Sequence, residues 1–203
     1  AIEHDVILVS DECYSELYYD EAAPPVGLLQ AARSLGNSDF NQCLAFHSLS
    51  KRSNLPGLRS GFVAGDAALI QKFRRYRTYH GCAMPLHHQL ASIAAWSDEA
   101  HVVENRALYR AKFDSVNEVL APALNTRIPE AGFYLWPNTP TSDTEFARTL
   151  LEQTNVAVLP GSYLGREVQG RNPGSDYVRM ALVATHQETL EAAERIADFM
   201  KRG

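Results

Sequence analysis

Only four lysines occur in the chain, Lys51, Lys72, Lys112 and Lys201, and Lys51 alone follows an apolar run, Cys43–His47, on a polar stretch. In α/β folds the carboxyl ends of strands are where ligands bind. A lysine there can be partly desolvated, and desolvation lowers an amine's pKa and makes it a nucleophile. Such an amine condenses with a carbonyl. Ser48, Ser50 and Arg59 flank it. Two hydroxyls and a guanidinium suit a phosphate, which the guanidinium grips through paired hydrogen bonds. Asp11 and Tyr14 follow the earlier apolar run Asp5–Ser10. They offer a carboxylate that can keep a ring nitrogen protonated and a phenol that can hydrogen-bond a ring oxygen. Farther on, Arg179 stands within the apolar run Tyr177–Val183. An arginine there needs an anion, either a carboxylate of this chain or one brought by a ligand.

These groups need elements to position them. Asp5–Ser10 reads as a buried, parallel strand, and Cys43–His47 and Ser60–Ala64 as two more. Leu28–Leu35 reads as a short helix closed by Gly36, and Ser48–Arg59, which carries Lys51, as a loop. Helices are expected over Ala67–Tyr79, with a solvated basic face of Lys72, Arg74, Arg75 and Arg77, and over Leu86–Trp96 after Pro85. A longer helix opens at Asp98, places Val102, Val103, Leu108, Phe113, Val116 and Leu120 at helical spacing, and stops before Pro122. After it come strand-like runs at Thr126–Ile128, Gly132–Trp136, Val156–Leu159 and Tyr177–Val183. Helices are expected at Ser142–Gln153 and Gln187–Lys201, and a glycine-rich loop at Pro160–Gly174. The pattern is α/β, with a small α+β part at the end.

Composition narrows the function. The chain has 203 residues, 45% hydrophobic and 21% charged, with a net charge of −5. That balance argues against a basic nucleic-acid binder. The longest apolar runs, such as Val6–Val9, are too short for a membrane span. Three widely spaced cysteines, Cys13, Cys43 and Cys82, suggest neither a disulfide framework nor a zinc site, and point to reduced, cytoplasmic thiols. The adjacent His87 and His88 do not share a helix face, so no metal is expected there.

An amine, a carboxylate, a phenol, hydroxyls and a guanidinium are together the groups that pyridoxal phosphate (PLP) requires. The runs SLSKRSNLPGLRSGFVAGD (Ser48–Asp66) and SDECYSELYY (Ser10–Tyr19) resemble the class I/II aminotransferases of PLP fold type I. A serine three before the lysine and an arginine eight after it are met by Ser48, Lys51 and Arg59, and Asp-x-x-Tyr by Asp11 and Tyr14. AGFYLWP (Ala131–Pro137), VLPGSYLGR (Val158–Arg166) and CAMPLHHQLASIAAW (Cys82–Trp96) look closest to N-succinyldiaminopimelate aminotransferases of lysine biosynthesis. Phe133, Tyr134 and Trp136 read equally as core packing, and Gly161 and Ser162 as a tight turn.

The resemblance implies that Lys51 holds PLP covalently and, once freed, moves the proton at the substrate Cα. It implies that Asp11 pairs with the ring nitrogen, Tyr14 with the ring oxygen, and Ser48 and Arg59 with the phosphate, where Ser50 either joins them or shapes the turn. Arg179 would clamp the substrate carboxylate. Residues 1–97 would close a large, mostly parallel-sheet cofactor domain, 98–121 would be a connecting helix, and 122–203 a small α+β domain. The substrates would be amino and keto acids, and the full-length protein a homodimer with neither nucleic acid nor membrane as partner. Because family members are about twice as long and the chain opens AIEHDVILVS, it reads as a C-terminal half. That half would bind PLP poorly alone, would not catalyse, and would expose an apolar face. Two other readings share the motif: a different fold-type-I reaction such as β-elimination, and a PLP-sensing domain of a transcriptional regulator.

Overall fold

Strand β1 (Leu8–Asp11) lies parallel to β2 (Cys43–Ser48), with Leu8 opposite Cys43 and Asp11 opposite Phe46. The crossover between them carries helix α1 (Leu28–Ser34). These positions come from a computed structural model, which describes residues 1–81 and 83–202 and only the backbone of Ile2. Cys82, one of the three thiols considered above, lies outside the described residues. Two compact units divide the chain, Ala1–Arg106 and Ala107–Gly203, and the boundary falls inside a long helix.

In the first unit β2 runs into helix α2 (Leu49–Arg52) and returns as β3 (Gly61–Gly65), antiparallel to it, with Ser48 opposite Gly61. The sheet order is β1-β2-β3, with one parallel and one antiparallel pair, in keeping with the α/β class expected from the sequence. The connection explains the antiparallel pair. A parallel return needs a full crossover element, and the segment after β2 carries only one helical turn and a short 3-10 turn. Gly65 permits the tight β2–β3 approach, since a Cβ there would stand 1.9 Å from the Cys43 carbonyl oxygen. The expectation that the first strand is buried fails. Val9 is 62% exposed, and Val6, Ile7 and Leu8 are exposed too, because β1 is paired on one side only.

Helix α3 (Ala67–Tyr79) starts where the Asp66 carboxylate accepts the Ala68 and Leu69 N–H groups, and its basic face is solvated as expected. Helix α4 (Leu86–Trp96) starts after Pro85. Helix α5 (Ala100–Leu124) begins in the first unit and continues into the second. It does not stop before Pro122. That proline removes one hydrogen bond in the last turn, and the helix closes when Asn125, at φ +49°, donates its N–H to Ala121. Its buried stripe is Val102, Arg106, Tyr109, Phe113, Val116, Leu120 and Leu124, whereas Val103 and Leu108 face outward.

The second unit adds β4 (Tyr134–Leu135), α6 (Asp143–Thr154), β5 (Leu159–Pro160), β6 (Val178–Ala181) and α7 (His186–Arg202). The strands form an antiparallel sheet in the order β4-β6-β5. Each strand is shorter than its apolar run, and Thr126–Ile128 is irregular. No helix among the described residues is long and apolar enough to cross a membrane.

Candidate active site

The sheet register brings the two chemistry-bearing segments side by side. Asp11 is opposite Phe46, and the Glu12 N–H continues the ladder to the Phe46 carbonyl at 2.8 Å. Two residues beyond Phe46, Ser48 ends β2 and caps α2, its Oγ accepting the Ser50 N–H at 3.0 Å. The same Oγ lies 2.9 Å from Ser50 Oγ and 3.2 Å from the Ser60 carbonyl oxygen. Lys51 is therefore on a one-turn helix, not on the loop expected from sequence. Its Nζ stands 5.9 Å from the centre of the Tyr14 ring.

Cys13 links the segments, although its sequence context points only to the disulfide and zinc questions. Its N–H donates to Asp11 Oδ1 at 3.1 Å. Burial pushes its thiol pKa up to about 11, helped by its hydrogen bond to the Asp11 carboxylate, while the Lys51 charge and a Ser48 hydrogen bond pull the other way. At neutral pH Cys13 is thus a protonated thiol and a poor nucleophile. The Cys13 thiol and amide in turn hold the Asp11 carboxyl below its ordinary range, so Asp11 is an anion. Among the described residues no group of three or more His, Cys, Asp or Glu side chains could hold a metal ion.

A second link lies behind the first. Glu12 accepts the Leu28 N–H at 2.7 Å and pairs with His47 Nε2 at 3.3 Å, tying β1 to both α1 and β2. His47 stacks on Phe62 with ring centres 4.9 Å apart.

The two arginines singled out from sequence share one property: among the described residues neither has a carboxylate within ion-pair distance. Arg59 follows the 3-10 turn at φ +53° and donates from Nη1 to the Pro56 carbonyl at 2.8 Å. It immediately precedes Ser60, whose carbonyl reaches Ser48 Oγ. Arg179 belongs to the second unit and is half-buried rather than fully buried, flanked on β6 by buried Val178 and Met180. Its guanidinium lies 4.6 Å from the Tyr134 ring centre, a cation–π contact that fixes the plane of the fork. Phe133 is buried as core, and Trp136 stacks on Tyr177. Gly161 is required by close packing, since a Cβ there would stand 2.3 Å from the Gly174 carbonyl oxygen.

The donor set of the first unit suits one kind of group. A primary amine, an ionised carboxylate, a phenol, two hydroxyls and an uncompensated guanidinium complement an aldehyde, a protonated ring nitrogen, a ring oxygen and a phosphate. The comparisons with known proteins agree. The chain is 36% identical to the 4-dedimethylamino-4-oxo-anhydrotetracycline transaminase OxyQ of Streptomyces rimosus, over 97% of this chain and 52% of that one. It is 32% identical to the LL-diaminopimelate aminotransferase of Maridesulfovibrio salexigens, over 97% and 49% respectively. A crystal structure of an aminotransferase from Neisseria meningitidis Z2491 matches at 50% identity and a TM-score of 0.90, over 98% of this chain and 50% of that one. A Thermus thermophilus structure bearing the name "probable N-succinyldiaminopimelate aminotransferase" matches at 28% identity and a TM-score of 0.80, over 98% and 51%. The chain thus spans about half the length of the curated relatives it matches. The family model for aminotransferases of class I and II covers residues 1–196, and the chain belongs to that PLP-dependent family.

Proposed function

We propose that the complete protein moves an amino group between amino and keto acids, with PLP held by Lys51, Asp11, Tyr14, Ser48, Ser50 and Arg59. One observation carries this reading. The β1–β2 register sets Asp11 opposite Phe46, two residues before Ser48, and Lys51 Nζ stands 5.9 Å from the Tyr14 ring centre, so groups from two distant segments occupy one small region. When bound, PLP supplies an aldehyde that takes up an amino group and a ring that withdraws electrons from the adjacent carbon. Lys51 binds it through Nζ and, once displaced by the amino acid, takes and returns the proton at the substrate Cα. Asp11, held ionised by Cys13, keeps the ring nitrogen protonated. Tyr14 donates to the ring oxygen. Ser48, Ser50 and Arg59 hold the phosphate. Arg179, with no carboxylate of this chain beside it among the described residues, takes the substrate carboxylate, and the Tyr134 ring beneath it orients the fork.

Residues 1–97 serve as the closing part of the cofactor domain, 98–121 as its connecting helix and 122–203 as the small domain. The substrate pair is N-succinyl-LL-2,6-diaminopimelate with 2-oxoglutarate, in a cytoplasmic homodimer. Support comes from AGFYLWP and VLPGSYLGR and from the name of the Thermus relative. A panel setting the succinylated substrate against free diaminopimelate and simple amino acids tests it, with the succinylated compound giving the highest kcat/KM. A preference for unacylated substrates would overturn it. The cofactor assignment has its own test. Borohydride reduction of the complete protein should add the reduced cofactor's mass to the peptide holding Lys51, and Lys51→Ala should abolish the adduct. A persistent adduct in that variant would sink the assignment.

A further inference from the structure

Helix α2 is four residues long, and one turn of helix cannot hold itself in water. The direction of the Lys51 side chain is therefore set by whatever fixes the residues on either side. Upstream, Ser48 caps the turn and Leu49 is fully buried. Downstream stand two polar residues that no sequence pattern singles out, Arg52 at 6% exposure and Ser53 at 8%.

Arg52 donates from Nη1 to the Ala95 carbonyl at 2.9 Å and to Ser53 Oγ at 3.2 Å. Its Nη2 pairs with Glu99, and its guanidinium lies 5.0 Å from the Trp96 ring centre. Ser53 Oγ lies 2.8 Å from His101 Nε2, and His101 Nδ1 lies 2.7 Å from Asp98 Oδ2. All of these partners belong to the end of α4, the start of α5 and the turn between them. The donor inventory gives the chain one direction. Arg52 has only donors, so Ser53 Oγ accepts from it. The Asp98 carboxylate can only accept, which makes Nδ1 of His101 the donor, and in that tautomer Nε2 accepts the Ser53 O–H. A guanidinium ends the chain on one side and a carboxylate on the other, so each bond polarises the next.

A serine, a histidine and an aspartate in that order also occur in hydrolytic relays. Here the hydroxyl is buried and takes a hydrogen bond from a guanidinium, which leaves it neither access to a carbonyl nor the basicity to attack one. The chain's effect falls instead on its neighbour. We propose that Arg52, Ser53, His101 and Asp98 form a clasp that positions the Lys51 amine, acting through α2 without touching the reacting atoms. The proposal rests on reading Lys51 as the cofactor lysine.

The test uses the complete protein stripped of PLP. Competitive labelling with a trace of acetic anhydride, read by mass spectrometry, reports the nucleophilicity of the Lys51 amine relative to exposed Lys72. Ser53→Ala and His101→Ala should each change the Lys51-to-Lys72 ratio by about threefold or more. The double variant should match either single one, because cutting one link already breaks the chain. After PLP is restored, each variant should lose about tenfold in kcat with KM nearly unchanged, the mark of a misplaced group. An unchanged labelling ratio in both single variants overturns the clasp, and so do additive effects in the double variant. A purely structural contact would shift melting and leave the ratio alone. If Lys51→Ala keeps the borohydride adduct, the reading of Lys51 falls, a result the labelling ratio does not share.

Discussion

In the unit Ala107–Gly203 the side chains most fully withdrawn from water are Phe113, Val116, Leu120, Leu135, Leu150 and Val178. In the unit Ala1–Arg106 the buried residues include Arg52, Arg106, Ser53, Ser60 and Ser92, beside a short apolar set of Leu17, Ala32, Cys43, Ala45, Leu49 and Val102. The difference is one of direction. Apolar burial depends on area and hardly on angle. A guanidinium fork or a hydroxyl chain holds its partner at a set angle and distance. The unit with the candidate cofactor groups devotes much of its burial to directional contacts, two of them, at Arg52 and Ser53, within two residues of Lys51. The other unit devotes it to volume.

The contrast breaks most visibly if a core deletion disturbs the lysine. Leu150→Ala, at a fully buried position, should lower the stability of the second unit by about 2–5 kcal/mol in denaturant unfolding. The labelling ratio of Lys51 should not move. A shift as large as that of Ser53→Ala would mean that the two units do not divide the work this way.

A smaller effect is expected at Arg106. Its Nε and Nη2 meet the Glu21 carboxylate at 3.0 and 2.8 Å, its Nη1 meets Glu16 at 3.1 Å, and its guanidinium lies 4.5 Å from the Tyr18 ring centre. The Glu21 hydrogen bonds hold the guanidinium in its charged form against the opposing pull of burial. Both carboxylates are partly solvated, so Arg106→Met should cost about 1.5–2 kcal/mol, near the low end for hydrogen bonds to charged groups. Amide exchange should quicken over residues 15–21, which follow Tyr14. Unchanged exchange there would show that the fork does not order the segment.

What is legible in the sequence follows the same division. Helices α3 and α4 begin and end where expected, because Asp66 and Pro85 are local signals and the apolar spacing is local. Five of the candidate cofactor residues, Asp11, Tyr14, Ser48, Lys51 and Arg59, are readable as types at fixed spacing, and the register places Asp11 and Ser48 at neighbouring strand ends. The Arg52–Ser53–His101–Asp98 chain leaves no local trace, since the bond that joins its two halves, Ser53 to His101, spans 48 residues. Cys13 is invisible as a site residue for a related reason. What it touches is set by the β1–β2 register, not by the pattern around it. The helical turn under Lys51 is too short to show a period, so it reads as loop. β1 reads as buried because an apolar run does not say whether anything covers it.

Two polar devices in the second unit, at Ser142 and Asp143, serve the start of α6, and their loss should cost less. Ser142 caps α6 by accepting the Glu145 N–H at 3.4 Å. Ser142→Ala should lower stability by about 1 kcal/mol, read from the denaturant midpoint at an unchanged slope. A cost matching Leu150→Ala would place angular contacts at the heart of this unit too.

The smallest effect depends on pH. Asp143, buried at the first turn of α6, accepts the Ser162 N–H at 2.7 Å and so ties the helix to the Gly161–Tyr163 turn. Burial works to raise its pKa, but hydrogen bonds from the Ser162 hydroxyl and amide, with those from the Asp176 and Asp143 backbone, outweigh it, and the net shift is downward. A carboxyl whose folded pKa lies below its unfolded value binds fewer protons folded than unfolded. Its contribution is full above the unfolded value of about 3.9 and is lost as pH falls through the folded one. Asp143→Asn keeps an acceptor and removes the charge. It should cost about 0.5–1 kcal/mol at pH 7, and the gap to the parent protein should close in melts at pH values below about 4. A gap that stays constant down to the lowest pH would mean that the charge contributes nothing, and that Asp143 holds the turn as a neutral acceptor alone.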